Sequence, residues 1–527
     1  MRIAAFDLGS NSFHMILVET RPDGSFVPIA KEREMLRLGD LVAKSGELGS
    51  EARERAFEVI RRFKTIADTQ QADQIVAVGT SALREARDGP DFVANVRRKL
   101  GLTIHIIDGI QEAATIFNAI RASVVLDPAP ALALDLGGGS LELMLGDAAG
   151  LAFAASVKLG VGRLTSMFFD SDPPSESELS KARRYIEREL DPVLSELAEF
   201  GPKLLIGSSG TFIAIASISA TMRDGSEPDH LNHLTVSYDD VITASKRVLT
   251  ETKMNRAKIQ GADARRSELL PAGFLVLIHV MERLQMHEIT ISGWALREGL
   301  ILRTIAEHDP SDFGDDPRSI RRSSVLSLCH RCNWNREHSV QVAELATQIF
   351  DATGYLHELS SHERELLEFG ALMHDIGEHI SRTNHDRHSA YLIGHGDLRG
   401  FTPKEIRMLT LLARYHLRGN EKSVSKDTVL SSIDLDILLR LIGILRIADA
   451  FDASHSGEVL KVKMGEATGH KMIFSLTVKN EAELELWSML RKQQLFERVF
   501  DVECETRLER SRMSKLTSLL AGDLGLS

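Results

Sequence analysis

The sequence predicts an α/β protein of two duplicated lobes, followed by an all-α domain and a small C-terminal α/β cap. Three observations carry that reading. The strand-loop-strand segment Asp7-Leu8-Gly9-Ser10-Asn11-Ser12 recurs as Asp135-Leu136-Gly137-Gly138-Gly139-Ser140, each copy following one apolar run and leading into another. Strands and helices alternate to about residue 305, after which the apolar period becomes almost purely helical to about residue 455. Beyond that, Val459-Leu460-Lys461-Val462-Lys463 and Met472-Ile473-Phe474-Ser475-Leu476 read as strands.

The elements follow in order. Hairpin strands flank the first loop, an amphipathic helix runs from Glu51 to Thr69, and Gln74 to Val78 is a strand. The first lobe occupies residues 1–125. Leu126-Asp127-Pro128-Ala129-Pro130 is a break, and the second lobe follows over 126–306. Residues 307–317 are acidic and proline-punctuated, as in a linker. The helical domain covers 318–456 and the cap 457–527.

Composition narrows the classes. At 527 residues the chain exceeds one core, and 43% hydrophobic with 26% charged residues is ordinary for a globular protein. No apolar stretch approaches a spanning length, and the N-terminus meets Asp7 where a signal peptide needs an apolar core, so a cytoplasmic protein without membrane partners is expected. A net charge of −12 argues against a generic nucleic-acid binder and requires local cations for any anionic substrate. The three cysteines are too few for a disulfide framework. Cys329 and Cys332 have zinc-like spacing without a second pair, and read as neighbours on one helical turn.

An Asp-x-Gly turn after a strand offers a carboxylate to a metal, and the small residues after it let backbone N–H groups approach phosphate. Two such turns suggest two clasps on one polyanion. Three further segments suit cleavage of a phosphoanhydride. In Gly79-Thr80-Ser81-Ala82-Leu83-Arg84, the Arg84 fork suits phosphate. In Gly109-Ile110-Gln111-Glu112-Ala113, Glu112 at a helix start suits activation of water. Gly207-Ser208-Ser209-Gly210-Thr211, between a strand and a helix, suits anion binding by N–H donors. Singly, these read as a solvated arginine, a helix-dipole partner and an N-capped turn. Together they supply what phosphoryl transfer needs. No Gly-x-x-x-x-Gly-Lys-Ser/Thr loop is present.

Asp7 to Met15, Gly79 to Arg84, and Asp135 to Glu142 resemble the signatures of the exopolyphosphatase / guanosine pentaphosphate phosphohydrolase (Ppx/GppA) family of the actin-like (sugar kinase, Hsp70) ATPase superfamily. The resemblance implies two actin-like (ribonuclease H-like) lobes. It implies Glu112 as catalytic base and Asp7, Asp135 and Glu142 as ligands of Mg²⁺, with Mn²⁺ as a substitute. Phosphate would be met by Ser10, Asn11, Ser12, Arg84, Gly137, Gly138, Gly139, Ser140 and the segment Gly207, Ser208, Ser209, Gly210, Thr211. The expected activity is exopolyphosphatase, releasing orthophosphate from inorganic polyphosphate by in-line attack of water. Hydrolysis of guanosine pentaphosphate (pppGpp) at the same site is the rival, with ppGpp as a further ligand. An actin-like kinase or chaperone ATPase, or a non-catalytic alarmone sensor, fits the acidic residues less well. The family also implies a homodimer.

In the helical domain, His338, His374-Asp375 and Asp449 fall on helices read as Arg336 to Ala352, Arg364 to Ile380 and Leu438 to Phe451. Their order resembles the ligand pattern of HD phosphohydrolases, with His388 and His416 between them as added ligands. Two readings stand: a second divalent-metal site, even a second nucleotide phosphohydrolase, or an HD-like domain serving architecture. Arg318, Arg321, Arg322, Arg331 and Arg336 form a basic strip, either a solvated helix face or a hold on the distal polyphosphate chain.

Overall fold

The computed structural model describes residues 1–21, 25–308, 319–419, 421–426, 430–464 and 470–510. Most of the expected linker, residues 309–317, and Arg318 lie outside them. The chain forms two compact units, Met1–Ile320 and Arg321–Ser527.

In the first unit, β1 (Arg2–Leu8), β2 (Ser12–Thr20), β3 (Phe26–Met35), β4 (Gln74–Gly79) and β5 (Ile104–Ile106) form a five-stranded sheet in the order β3-β2-β1-β4-β5. The second sheet takes β6 (Ala131–Leu136), β7 (Leu141–Gly146), β8 (Leu151–Val157), β9 (Leu204–Ser208), β10 (Thr235–Ser237) and β11 (Glu288–Ile291) in the order β10-β11-β9-β6-β7-β8. Leaving out the edge strand β10, the two orders are the same. In each, an antiparallel hairpin precedes a parallel crossover. The duplication expected from the loops is therefore a duplication of whole sheets, and the architecture is actin-like.

Strand alternation aims the polar residues. On β1, Ala4, Phe6 and Leu8 pack into the first lobe's own core, while Ile3 and Ala5 enter a second cluster. On β6, Leu132, Leu134 and Leu136 pack into the second lobe, while Ala131 and Ala133 join that same second cluster. Asp7 and Asp135 continue the Ile3/Ala5 and Ala131/Ala133 rows, because side chains two apart share a face. By the same rule His14 follows Ile16 and Val18, and Glu142 follows Met144, onto the face shared by the lobes.

The shared cluster is completed by the helices Gly109–Arg121 and Leu296–His308, through Ile116, Phe117, Ile120, Leu300, Ile301 and Ile305. The first begins with a reciprocal cap: Gln111 N–H donates to Asp108 Oδ1 at 2.8 Å, and Asp108 N–H donates to Gln111 Oε1 at 3.2 Å. That cap fixes the turn from which Glu112 projects.

The second unit is helical and ends in a three-stranded sheet of β12 (Val459–Met464), β13 (Lys471–Val478) and β14 (Glu503–Arg510). One apolar core runs from helix Arg336–Ala352 through helix Ser432–Ala450 to Met472, Phe474 and Leu476 on β13. The helix expected over Arg364 to Ile380 instead spans Ser361–Met373, with a 3₁₀ turn at Ile376–His379. It stops at His374-Asp375, where Gly377 N–H bonds the Ser389 hydroxyl. Cys329 and Cys332 are buried free thiols, and burial pushes the Cys329 thiol up. Among the described residues no helix is long and apolar enough to cross a membrane.

Candidate active site

The two loops face each other across a cleft of about 520 Å³. Their carbonyls are held from behind by the next helix of each lobe. Asn11 O accepts from Leu36 and Arg37 N–H and Ser10 O from Gly39 N–H, while Gly137 O accepts from Val161 N–H and Gly138 O from Gly162 and Arg163 N–H. Each loop is thereby anchored to the start of the helix that follows its hairpin.

The contact between loops explains the glycines. A Cβ on Gly138 would stand 2.8 Å from Asn11 Cβ and 3.0 Å from Asn11 N, and one on Gly139 would stand 2.9 Å from Ser10 Oγ. Only hydrogen fits where backbones approach so closely.

Acidic residues converge. Asp7, Glu112 and Asp135 line the cleft, while Glu142 is buried behind Asp135, its cross-strand partner on β7, and accepts from Ser156 Oγ at 2.9 Å. Burial, with Asp135 and Glu298 nearby, raises Asp7 to about 7 against the opposing pull of Arg297. Burial raises Asp135 to about 6, opposed by Ser208, Arg266 and Arg297, and burial with Asp135 raises Glu142 to about 7. Glu112 is raised by burial first and then by Glu142. Hard oxygen donors crowded until their charges oppose one another suit a small divalent cation such as Mg²⁺.

Arg84 is not among the residues lining the cleft. Its Nη1 donates to the Ile107 carbonyl at 2.6 Å and lies 3.3 Å from Glu112 Oε2. In the third segment Ser209 and Gly210 reach the cleft, Ser209 with φ 84° at the turn. Gly207, Ser208 and Thr211, expected to bind phosphate, sit behind it. Ser208 Oγ donates to Trp294 O at 3.2 Å, and Thr211 Oγ1 donates to Leu136 O at 3.3 Å, so these two hydroxyls brace the wall. Ser10, Asn11, Ser12 and Gly137 to Ser140 all line the cleft.

Sequence reading missed a set of cations. Lys31 and Arg33 on β3, with Arg266 and Arg297, line the cleft beyond the loops, and Arg265 stands beside them. Asp263 partly balances three of the arginines, at 3.5 Å from Arg33, 2.9 Å from Arg265 and 3.7 Å from Arg266. Burial together with Arg297, Arg33, Arg266 and Arg265 drives His14 down to about 2, so its ring is neutral. Burial, then Arg33, lowers even Arg266 to about 10. One signal was available: Ala82-Leu83-Arg84-Glu85 recurs as Ala295-Leu296-Arg297-Glu298, again at a helix start after a strand.

The basic strip of the second unit is corrected by its partners. Arg321 is 2.7 Å from Glu405 and 3.0 Å from Glu365, with its guanidinium over the Phe401 ring, and Arg322 pairs with Glu368. Arg321 is thereby taken up by packing within its own unit, while Arg322 stays half-exposed beside Glu368. Arg318 lies outside the described residues.

Two actin-like lobes closing phosphate-type loops over convergent carboxylates define a hydrolase acting on phosphoanhydrides. The chain belongs to the Ppx/GppA phosphatase family, whose model matches residues 17–308, and the model for domain III of that family matches residues 320–498. It is similar to the guanosine-5'-triphosphate,3'-diphosphate pyrophosphatase of Vibrio cholerae, 29% identical over 91% of this chain and 92% of that protein. Among solved structures it is similar to an exopolyphosphatase from Cytophaga hutchinsonii, with a TM-score of 0.55 and 26% identity over 58% of this chain and 98% of that one. The Aquifex aeolicus family member has a TM-score of 0.50 and 25% identity over 59% of this chain and 99% of its own.

Proposed function

We propose that the protein is an Mg²⁺-dependent exopolyphosphatase, releasing orthophosphate from the end of inorganic polyphosphate. The observation carrying this reading is the run of cations, Lys31, Arg33, Arg265, Arg266 and Arg297, continuing from the paired loops. A chain of phosphates needs charge along its length, whereas a purine needs a flat apolar face. Aliphatic side chains, Ile213, Ala214 and Leu231 among them, line another part of the cleft, with no Phe, Tyr or Trp among the described lining residues to stack on a base.

The terminal phosphoryl group would lie against Ser10 to Ser12 and Gly138 to Ser140, loops fastened from behind through their carbonyls, while the Gly137 N–H is taken by the Ser140 carbonyl at 3.0 Å. Asp7 and Asp135, with Glu142 behind them, would hold the divalent cation, which when bound neutralises phosphate charge. Glu112, at the cleft wall, would take a proton from the attacking water, and Arg84 holds its carboxylate in place.

The similarity to the Vibrio cholerae enzyme over nine-tenths of the chain favours a second reading, removal of the 5′ terminal phosphate of guanosine pentaphosphate in the same cleft. Phosphate release from long-chain polyphosphate, guanosine pentaphosphate and ATP, in wild type and Glu112→Gln, separates the two. Polyphosphate is expected to give the highest kcat/KM, and Glu112→Gln to lower turnover by about two to four orders of magnitude. A clear preference for guanosine pentaphosphate replaces the first reading with the second. Full activity of Glu112→Gln removes that residue from its role.

A further inference from the structure

Within the second unit four imidazoles turn the same atom inward. His338 Nδ1 is 2.8 Å from Asp452 Oδ2, His374 Nδ1 is 2.7 Å from Ala371 O, His385 Nδ1 is 3.0 Å from Arg382 O, and His416 Nδ1 is 2.7 Å from Ala413 O. Carbonyl and carboxylate oxygens only accept, so each Nδ1 carries a proton and each Nε2 is the ring atom left to offer its lone pair to an ion. All four Nε2 atoms converge on Asp375. Its Oδ2 is 3.6 Å from His338 Nε2 and 3.5 Å from His374 Nε2, and its Oδ1 is 3.1 Å from both His385 Nε2 and His416 Nε2. Asp449 Oδ1 lies 3.9 Å from the Nε2 atoms of His338 and His374.

Lone pairs gathered this way repel. His385 Nε2 and His416 Nε2 are 3.3 Å apart, and His338 Nε2, His374 Nε2 and Asp375 Oδ1 are buried without a hydrogen-bond partner. The side chains of His338 and His374 are 0% exposed. Such groups are costly unless something accepts their electrons. Bonds of about 2.1 Å place neighbouring ligands about 3.0–3.4 Å apart; the 3.1–3.3 Å separations among Asp375 Oδ1, His385 Nε2 and His416 Nε2 match that spacing, and those at His338, His374 and Asp449 are wider, at 3.5–3.9 Å.

We propose that this cluster is a two-ion site for divalent transition metals, bridged by Asp375. His338, His374, Asp375 and Asp449 hold one ion. Asp375, His385 and His416 hold the other, each carboxylate oxygen of Asp375 facing one set. Four nitrogens with aspartate oxygens suit Mn²⁺, Fe²⁺ or Zn²⁺ rather than Mg²⁺ or Ca²⁺, which take oxygen ligands. The Asp452 carboxylate behind His338 and the carbonyls behind the other rings orient the ligands from outside, and Lys492 holds the other oxygen of Asp449. His385, with 14% side-chain exposure, and Asp375, with 12%, form the edge that meets solvent. The sequence pattern is thereby completed by His385, whose Nε2 stands 3.1 Å from Asp375 Oδ1, in place of the expected His388.

The test is metal content. Full-length protein is stripped with chelator, reloaded with Mn²⁺ alone, desalted and measured by mass spectrometry of the metal. Wild type is expected to retain about two ions per chain, as is Asp7→Asn with Asp135→Asn, which disables the cleft of the first unit. Asp375→Asn is expected to lose both, and His385→Ala to retain about one, with circular dichroism confirming the fold of each. Wild type retaining one ion or none, or His385→Ala and Asp375→Asn both retaining the wild-type content, overturns the proposal.

Discussion

Arg84 Nη1 stands 3.3 Å from Glu112 Oε2 while donating to the Ile107 carbonyl at 2.6 Å, so this arginine is fastened to the residue expected to activate water. The carbonyl fixes the guanidinium, and the guanidinium fixes the carboxylate. In a site where burial and neighbouring acids push Glu112 up, Arg84 is the counterweight.

Arg84→Lys should therefore behave much like Arg84→Ala. Nη1 alone meets both acceptors, but it is aimed by the rigid planar guanidinium, which a lysine's flexible stem does not reproduce. Both substitutions are expected to lower kcat by about tenfold or more, the loss of one charge-assisted hydrogen bond, with a smaller change in KM. Steady-state kinetics on polyphosphate checks this, and full rescue by lysine would show that charge alone matters.

Gly138→Ala should pry the two loops apart. Its methyl meets Asn11 Cβ and backbone N at 2.8 and 3.0 Å, and backbone cannot yield as a side-chain tip can. A stability loss of about 1–3 kcal/mol with a fall in kcat is expected, measured by urea unfolding and phosphate release. Gly101→Ala, at φ 66° with nothing near its Cβ position, is the control for strain without a clash between loops.

Removing Arg33 and Arg265 together should weaken binding of a long polyanion more than its cleavage. A KM rise of about tenfold for long-chain polyphosphate, with kcat little changed and a flatter dependence on salt, follows from losing two cations near the cleft. Initial rates from low to high ionic strength read this directly.

Glu405→Gln tests the packing role of Arg321. Burial acts to raise Glu405, but Arg321 and the Thr402 hydrogen bonds outweigh it and hold the carboxyl below its usual range. A depressed folded-state value stabilises above the unfolded value and the benefit is lost as pH falls through the folded one. At neutral pH the substitution should cost about 3 kcal/mol, and the gap to wild type should close progressively below about pH 4.3. Amide exchange in the helix Pro403–Tyr415 across that range measures it.

The sequence alone determined the duplication, the strands that carry it, and the carboxylates that end those strands, because these are local: a turn needs its glycines within a few residues, and alternation aims Asp7 and Asp135 at one face. The resemblance of their order to the HD pattern also grouped His338, His374, Asp375 and Asp449 as an expectation, and the structure brings them within reach of one another. Only the tertiary structure decided which atoms meet. It turned Arg84 onto Glu112, put Ser208 and Thr211 behind the wall, brought Lys31, Arg33, Arg265, Arg266 and Arg297 to one cleft from three separate stretches of chain, and set His385 rather than His388 against Asp375. Such meetings join residues far apart in sequence through the packing of whole elements, so no window of sequence contains them.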